Sequence, residues 1–268
     1  VSNLSYNEIK RFPRTQHLQG SRLQKGDEDL TQVRFTDIQG LNIIIEEKMD
    51  GANCGISFDS NGKLLLQSRG HFLRGGPRER HWDLFKQWAA GHEQILFDML
   101  EDRYIMYGEW LYAKHTIFYD LLPHYFLEFD IYDKQHNCFL TFPMRKSILH
   151  ASPVKSVLVL YEGVIQSIDD VIQLITHSYF KTGNWRSRLR AEAIRLGIDD
   201  DLVIDQTDSS DQMEGLYIKV EDNFNVKQRL KWVRNSFNNA ISDSESHWLD
   251  RPIIPNILAP GVDIFSYY

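Results

Sequence analysis

Apolar residues recur along this chain in two rhythms: alternation every second residue, and a three-to-four-residue spacing. Residues 41–47 form an apolar run that ends in acids and predict a strand. Residues 53–58 and 64–68 flank Ser60-Asn61-Gly62, and Asn-Gly between two such runs predicts a hairpin. Between Glu79 and Asp102, the residues Trp82, Phe85, Trp88, Ala89, Ile95, Leu96, Met99 and Leu100 fall at helical spacing, and Trp82, Phe85 and Trp88 are expected in the core. Strand-like runs follow at 104–109, 125–132, 138–142 and 156–161. Ser167 ahead of Asp169 and Asp170 predicts a helix start. A further helix is expected over 185–196, stopping at Gly197. Residues 215–220 and 226–233 are again strand-like, and no internal repeat is visible. Residues 11–29 are polar and read as a loop, or as the polar wall of a ligand site using Arg14, His17 or Arg22. From Asn235 onward, Pro252, Pro255 and Pro260 mark a tail or short lid. The pattern is α+β, with antiparallel sheets carrying helices on their outer faces.

Composition narrows the class. The chain has 268 residues, 42% hydrophobic and 25% charged, which excludes collagen-like, coiled-coil and largely disordered proteins. That length buries a full core without staples. Cys54 and Cys138 are the two cysteines, too few for a disulfide scaffold or a four-thiol zinc site, and they point to a reducing compartment. The longest apolar runs, 41–45 and 157–161, are too short to cross a bilayer, and the N-terminus carries no apolar signal segment. A cytoplasmic, soluble protein with no membrane partner is the expectation. The net charge of -7 argues against a duplex-coating protein but leaves open an enzyme with a local basic face.

Candidate chemistry starts at Lys48-Met49-Asp50-Gly51, directly after the first strand. Alone it is a short pattern whose plain reading is a solvated turn. Further chemistry follows in order: Arg69 after Ser68, Glu109 within Tyr107-Gly108-Glu109-Trp110, and Phe129 between Glu128 and Asp130. Then come Glu214, opening a strand that holds Tyr217 and Lys219, and the basic run holding Arg229, Lys231 and Arg234. Strand parity puts Leu216, Ile218 and Val220 on one face and Tyr217 and Lys219 on the other. In the last strand Lys227, Arg229 and Lys231 share a face, opposite Leu230 and Trp232. Such a stripe suits a polyphosphate, or merely a solvated sheet face. A lysine amine with pKa near ~10.4 must lose its proton to attack phosphorus. Nearby cations and burial lower that value, and Arg69, Lys219, Arg229 and Lys231 are candidates to supply the charge. Glu109 and Glu214 offer the hard oxygen ligands that magnesium takes.

Taken together over residues 43–234, these six motifs resemble the covalent nucleotidyltransferase superfamily of ATP-dependent RNA and DNA ligases and messenger-RNA capping enzymes. The nearest likeness is the nick-sealing RNA ligase family. The resemblance implies an ATP-grasp-like nucleotidyltransferase fold and an RNA ligase that joins 5′-phosphate and 3′-hydroxyl RNA ends through a lysine-AMP intermediate. It makes Lys48 the nucleophile and puts Glu47 beside the nucleoside, with Asp50 and Gly51 completing the motif. Arg69 would meet phosphate or ribose, and Glu109 ribose or metal. Phe129 would stack on the base opposite Tyr217. Glu214 would support metal and catalysis, and Lys219 and Lys231 would touch phosphates. Arg229 stands where the family commonly has lysine, which changes donor geometry. The implied cofactors are ATP, carried as covalent AMP, and Mg2+, with Mn2+ an alternative. The expected organisation is a leader over 1–40 packed near the nucleotide site, an adenylyltransferase domain over 41–234, and a tail over 235–268. DNA ends, a capping-type guanylyltransferase and a non-catalytic nucleotide- or RNA-binding module are the alternatives. DNA ligases and capping enzymes usually carry a barrel after the last motif, and the about 34 residues after Arg234 are short for one. Nick-sealing relatives usually have a further domain that holds the substrate; here a further domain, a partner protein, or the leader and tail are the alternatives.

The other polar residues have plainer readings. The ten histidines show no metal-type pairing, and His71, His81 and His115 read as surface or capping groups. Cys54 reads as a buried strand residue rather than a reactive thiol. Gly75-Gly76 reads as a loop, with a phosphate nest as the alternative. Residues 199–201 and 205–211 read as solvated acidic loops.

Overall fold

The computed structural model describes residues 8–23, 26–237 and 252–266. Its strands are β1 (Gln16–His17), β2 (Asn42–Lys48), β3 (Ala52–Phe58), β4 (Leu64–Ser68), β5 (Tyr104–Trp110), β6 (Phe126–Asp133), β7 (Cys138–Phe139), β8 (Lys155–Ser156), β9 (Val159–Val164), β10 (Gly215–Glu221) and β11 (Val226–Val233). Its helices are α1 (Asp83–Gly91), α2 (Glu93–Leu100), α3 (Phe142–Leu149), α4 (Ile168–Ile172), α5 (Trp185–Arg195) and α6 (Asp200–Asp205). The strands form two sheets, ordered β1-β11-β10-β2-β9 and β4-β3-β5-β6-β7, with β8 added beside β6. Only β1 on β11 and β8 on β6 run parallel among these pairings. The class is therefore the expected mixed α+β one.

Side-chain alternation explains the layering. Ile43 and Ile45 share a face with Leu216, Ile218, Val220, Leu230 and Trp232, and that face is buried against Val171 of α4. In the second sheet, Ile56, Phe58, Met106, Trp110 and Ile131 bury against Phe85, Trp88, Leu96 and Leu100 of α1 and α2. The remaining faces turn toward each other. Phe12, Tyr107, Tyr132, Phe139 and Tyr217 pack together there.

Beside these rings lies a buried cluster of charge. Arg145 of α3 donates to Glu128 at 2.8 and 3.0 Å and to Glu46 at 2.9 Å. Lys219 lies 2.8 Å from Glu46 and 3.2 Å from Asp130, and also donates to the Phe129 carbonyl. Tyr217 donates to Asp130 at 2.8 Å, and Ser156 donates to Glu128 at 2.7 Å. The acids come from both sheets, so the cluster ties one sheet to the other.

Several boundaries differ from the sequence reading. The expected strand over 138–142 is only Cys138–Phe139, and helix α3 follows. Pro143 sits in its first turn, where the missing N–H costs nothing, and the Phe142 amide donates to the Glu221 carboxylate. The expected strand at 156–161 is divided between β8 and β9. The helical stretch 79–102 is a 3-10 turn, Pro77–Trp82, followed by two helices that break at His92. Asp199 is solvated as expected but caps a helix: it is the N-cap of α6, accepting from the Leu202 amide at 3.0 Å. Asp208 pairs with Arg234, both nearly buried. Of the tail, residues 238–251 lie outside the described residues. Its described part is anchored: Asn256 accepts from the Tyr119 amide at 2.9 Å and donates to the Leu111 carbonyl at 2.7 Å.

Replacing Lys219 by Met would leave Glu46 and Asp130 in low dielectric without their cation. Breaking a buried pair this way costs about 3–5 kcal/mol. Urea unfolding of Lys219→Met should show a loss of that size. A variant as stable as wild type would mean that Lys219 carries no structural charge.

Candidate active site

Lys48 is the last residue of β2, and its register decides its neighbours. It pairs across to Gly215 of β10, which brings the preceding Glu214 alongside. Its Nζ donates to Glu214 Oε1 at 2.6 Å. Glu109 comes from β5, where it pairs with Asn53 of β3. Its Oε1 accepts from the Gly51 amide at 3.1 Å. A Cβ on Gly51 would lie 2.7 Å from the Trp110 carbonyl oxygen, so the turn after Lys48 admits only glycine at this approach. Asp50 accepts from the Thr116 and Ile117 amides, both at 2.7 Å, and its own amide is held by the Tyr119 hydroxyl at 2.9 Å. It fixes the loop behind Lys48, a supporting part. Lys231 enters from β11. These residues line a cavity of about 1080 Å³ together with Glu47, Arg69, Phe129 and Tyr217.

Phe129 reaches the cavity through a bulge. The β5–β6 register passes from Tyr107↔Asp130 to Gly108↔Glu128, leaving Phe129 as the extra residue. Bulges re-aim a side chain in this way.

The electrostatics correct one expectation. Burial opposes the charge of Lys48, but the Glu214, Glu109 and Asp50 carboxylates outweigh it, and the lysine pKa is raised. The expected lowering by surrounding cations does not occur in this arrangement. Burial, and then the neighbouring Glu214 and Asp50 charges, push Glu109 up to about 8 against the pull of Lys48. Glu214 is raised as well, first by burial. Burial and the Lys48 charge lower Lys231, although Asp27 forms an ion pair with it. Among the described residues, no group of three or more His, Cys, Asp or Glu could hold a metal ion.

Three assignments do not match this arrangement. Lys219 is fully buried in the charge cluster and does not line the cavity. Arg229 is not at the cavity either: its guanidinium lies 3.8 Å from the Phe139 ring centre and 5.1 Å from that of Phe12. Tyr217 cannot complete a base sandwich with Phe129 as placed. Their centroids are 5.8 Å apart at 70°, edge to face, whereas a base between parallel rings needs about 7 Å. Among the bland readings, His81 is buried rather than on the surface. His115 lines the cavity, where burial depresses its pKa to about 3. Gly75 and Gly76 both have positive φ, 100° and 125°, a backbone that favours glycine. The Gly75 amide, with that of Arg74, donates to the Glu79 carboxylate at 2.7 and 3.1 Å.

The sequence reading missed Asn53 and Phe12. Asn53 lines the cavity, and its Oδ1 is buried with no hydrogen-bond partner among the described residues. Its signal was parity: Cys54, Ile56 and Phe58 face the core, so Asn53 must face the site. Phe12 packs edge-on to Phe129 at 5.1 Å, from a stretch with no periodic pattern.

A sequence model of the RNA ligase family matches residues 41–233. The chain belongs to the RNA ligase family. It is also similar to solved structures of Naegleria gruberi RNA ligase. The structure with PPi is 18% identical at a TM-score of 0.47, over 83% of this chain and 60% of that one. A mutant with ATP and Mn is 16% identical at 0.48, over 75% of this chain and 52% of that one. The chain thus spans between half and two thirds of those relatives. No curated protein matches it. Among the described residues, no helix is long and apolar enough to cross a membrane.

Glu47 gives a test of the site's dryness. Its carboxyl, held by Ser178 at 2.5 Å, is pushed up to about 7 by burial. The unfolded chain ionises near 4.5, so the folded state holds more protons between those values, and stability falls as pH rises through them. Glu47→Gln removes that loss. Relative to wild type it should gain on the order of 1–3 kcal/mol between about pH 5 and pH 8. Denaturant unfolding at both pH values checks it, and an unchanged difference contradicts it.

Proposed function

We propose that the chain is an ATP-dependent RNA ligase acting through a covalent Lys48-AMP intermediate. The observation that carries this is the convergence of Lys48, Glu109, Glu214 and Lys231 on one cavity, with Lys48 2.6 Å from a carboxylate. Membership of the RNA ligase family supports it.

The free site holds Lys48 as an ammonium. Chemistry begins when its proton passes to Glu214, whose raised pKa eases acceptance. The neutral amine then attacks the α-phosphorus of ATP. An N–P bond forms, the bond to pyrophosphate breaks, and Lys231 stabilises charge on the phosphates. AMP next passes to an RNA 5′-phosphate, forming a phosphoanhydride and freeing the lysine. A 3′-hydroxyl attacks that activated phosphate, a phosphodiester forms, and AMP leaves. Phe129 provides a ring face for the base, and Arg69, exposed at the rim, a contact for phosphate. Glu109 and Glu214 fit a magnesium ion, which one or two carboxylates hold together with substrate phosphates, and which supplies positive charge there when bound. In this reading residues 41–234 are the adenylyltransferase domain, with the leader forming part of its wall. Cytoplasmic RNA repair is the setting such chemistry fits.

The test uses ATP labelled in the α-phosphate. Wild type with magnesium should retain label after denaturation, Lys48→Ala should retain none, and labelled GTP should leave none. Adenylylated wild type should then seal a nicked RNA duplex better than a nicked DNA duplex. Label persisting on Lys48→Ala would sink the reading. So would its absence from folded wild type first stripped of bound AMP with pyrophosphate.

A further inference from the structure

The polar leader does not stay a loop. Gln16–His17 adds β1 in parallel to β11, with His17 opposite Lys231. The Leu18 amide donates to the Lys231 carbonyl at 2.9 Å and the Arg22 amide to the Val233 carbonyl at 3.0 Å. The side chains then close a ring on the same strand. The Val233 amide donates to Ser21 Oγ at 2.9 Å. Ser21 Oγ lies 2.7 Å from His17 Nδ1, and His17 Nε2 lies 3.2 Å from Asp27 Oδ2. Asp27 Oδ2 in turn accepts from Lys231.

The hydrogen bonding assigns the tautomer. The Asp27 carboxylate can only accept, so Nε2 carries the proton toward it, and Nδ1 of the neutral ring accepts from the Ser21 hydroxyl. Burial, then the Lys231 charge, lower the His17 pKa, which keeps the ring neutral. His17 is completely buried, and Asp27 and Lys231 are only 13% and 12% exposed. Arg14 holds Asp27 through its other oxygen at 3.2 Å. A chain of bonds that leaves β11 at Val233 and returns at Lys231 restrains one lysine rotamer, because both ends are fixed to one rigid strand.

We propose that Asp27, oriented by His17, is a positioning residue that holds the Lys231 ammonium in its working place at the cavity wall. The inference rests on the reading of Lys231 as a phosphate contact. Asp27 touches no substrate; it acts through Lys231.

The experiment is a double-mutant cycle of Asp27→Asn and Lys231→Met, read as the single-turnover rate of lysine adenylylation at saturating ATP and the ATP concentration giving half that rate. Asp27→Asn should slow the saturated rate by about ten- to a hundredfold, as a misplaced group does, while unfolding temperature changes little. Asp27→Glu should recover part of it. In the Lys231→Met background, Asp27→Asn should add no further loss. Independent losses, or faster reaction in Asp27→Asn, overturn the proposal. A second readout needs no catalysis: methylation of Lys231 by formaldehyde and a borohydride reductant, followed by mass spectrometry. It should proceed faster in Asp27→Asn than in wild type. An unchanged rate overturns the coupling itself, whether or not the chain forms an adduct; the labelled-ATP result on wild type judges the ligase reading separately.

Discussion

The structure depends on a group of charges that cannot reach water. Glu46, Glu128 and Asp130 are balanced by Arg145 and Lys219, and each of the five is buried. Such a group is tolerated only when its members satisfy one another, because desolvation costs each ion several kcal/mol. The partners come from β2, β6, β10 and α3, so satisfying them fixes both sheets in one relation. Glu46 and Lys48 lie on the same face of β2, two residues and about 7 Å apart. Fixing the first therefore fixes where the second emerges.

The site then follows from register. Pairing of β2 with β10 brings Glu214 to Lys48, and pairing of β3 with β5 brings Glu109 beside the Gly51 turn. Pairing of β10 with β11 sets Lys231 at the same wall, opposite Tyr217. The result is a lysine held charged by carboxylates, themselves raised by burial. A protonated lysine is inert toward phosphorus, so the proposed reaction requires the Lys48 proton to leave first, and Glu214, at 2.6 Å, is the group placed to take it.

Much of this was legible in the sequence because it is local. The apolar run in residues 41–47, the Asn-Gly hairpin and the last two strand-like runs matched elements within a residue or two of their bounds. Lys48, Glu109, Glu214 and Lys231 came together as their motifs implied. What failed was non-local. Lys219 and Lys231 lie on the same face of neighbouring strands, yet one meets Glu46 of the adjoining strand and Asp130 of the facing sheet, and the other meets the cavity. Nothing within either strand distinguishes them. Helix α3 was missed because Phe142-Pro143-Met144-Arg145 has almost no amphipathic signal; its buried side chain is the arginine. The leader carried no periodicity; its partners, the free edge of β11 and the rings around Phe12, lie far along the chain.

The central claim is that register makes Lys48, among the chain's lysines, the one that takes the nucleotide. Peptide-mapping mass spectrometry after incubation with ATP and magnesium tests it most directly. The account predicts one AMP per chain, on the peptide containing Lys48 and lost in acid as an N–P bond should be. AMP on Lys231, Lys219 or any other residue would contradict it.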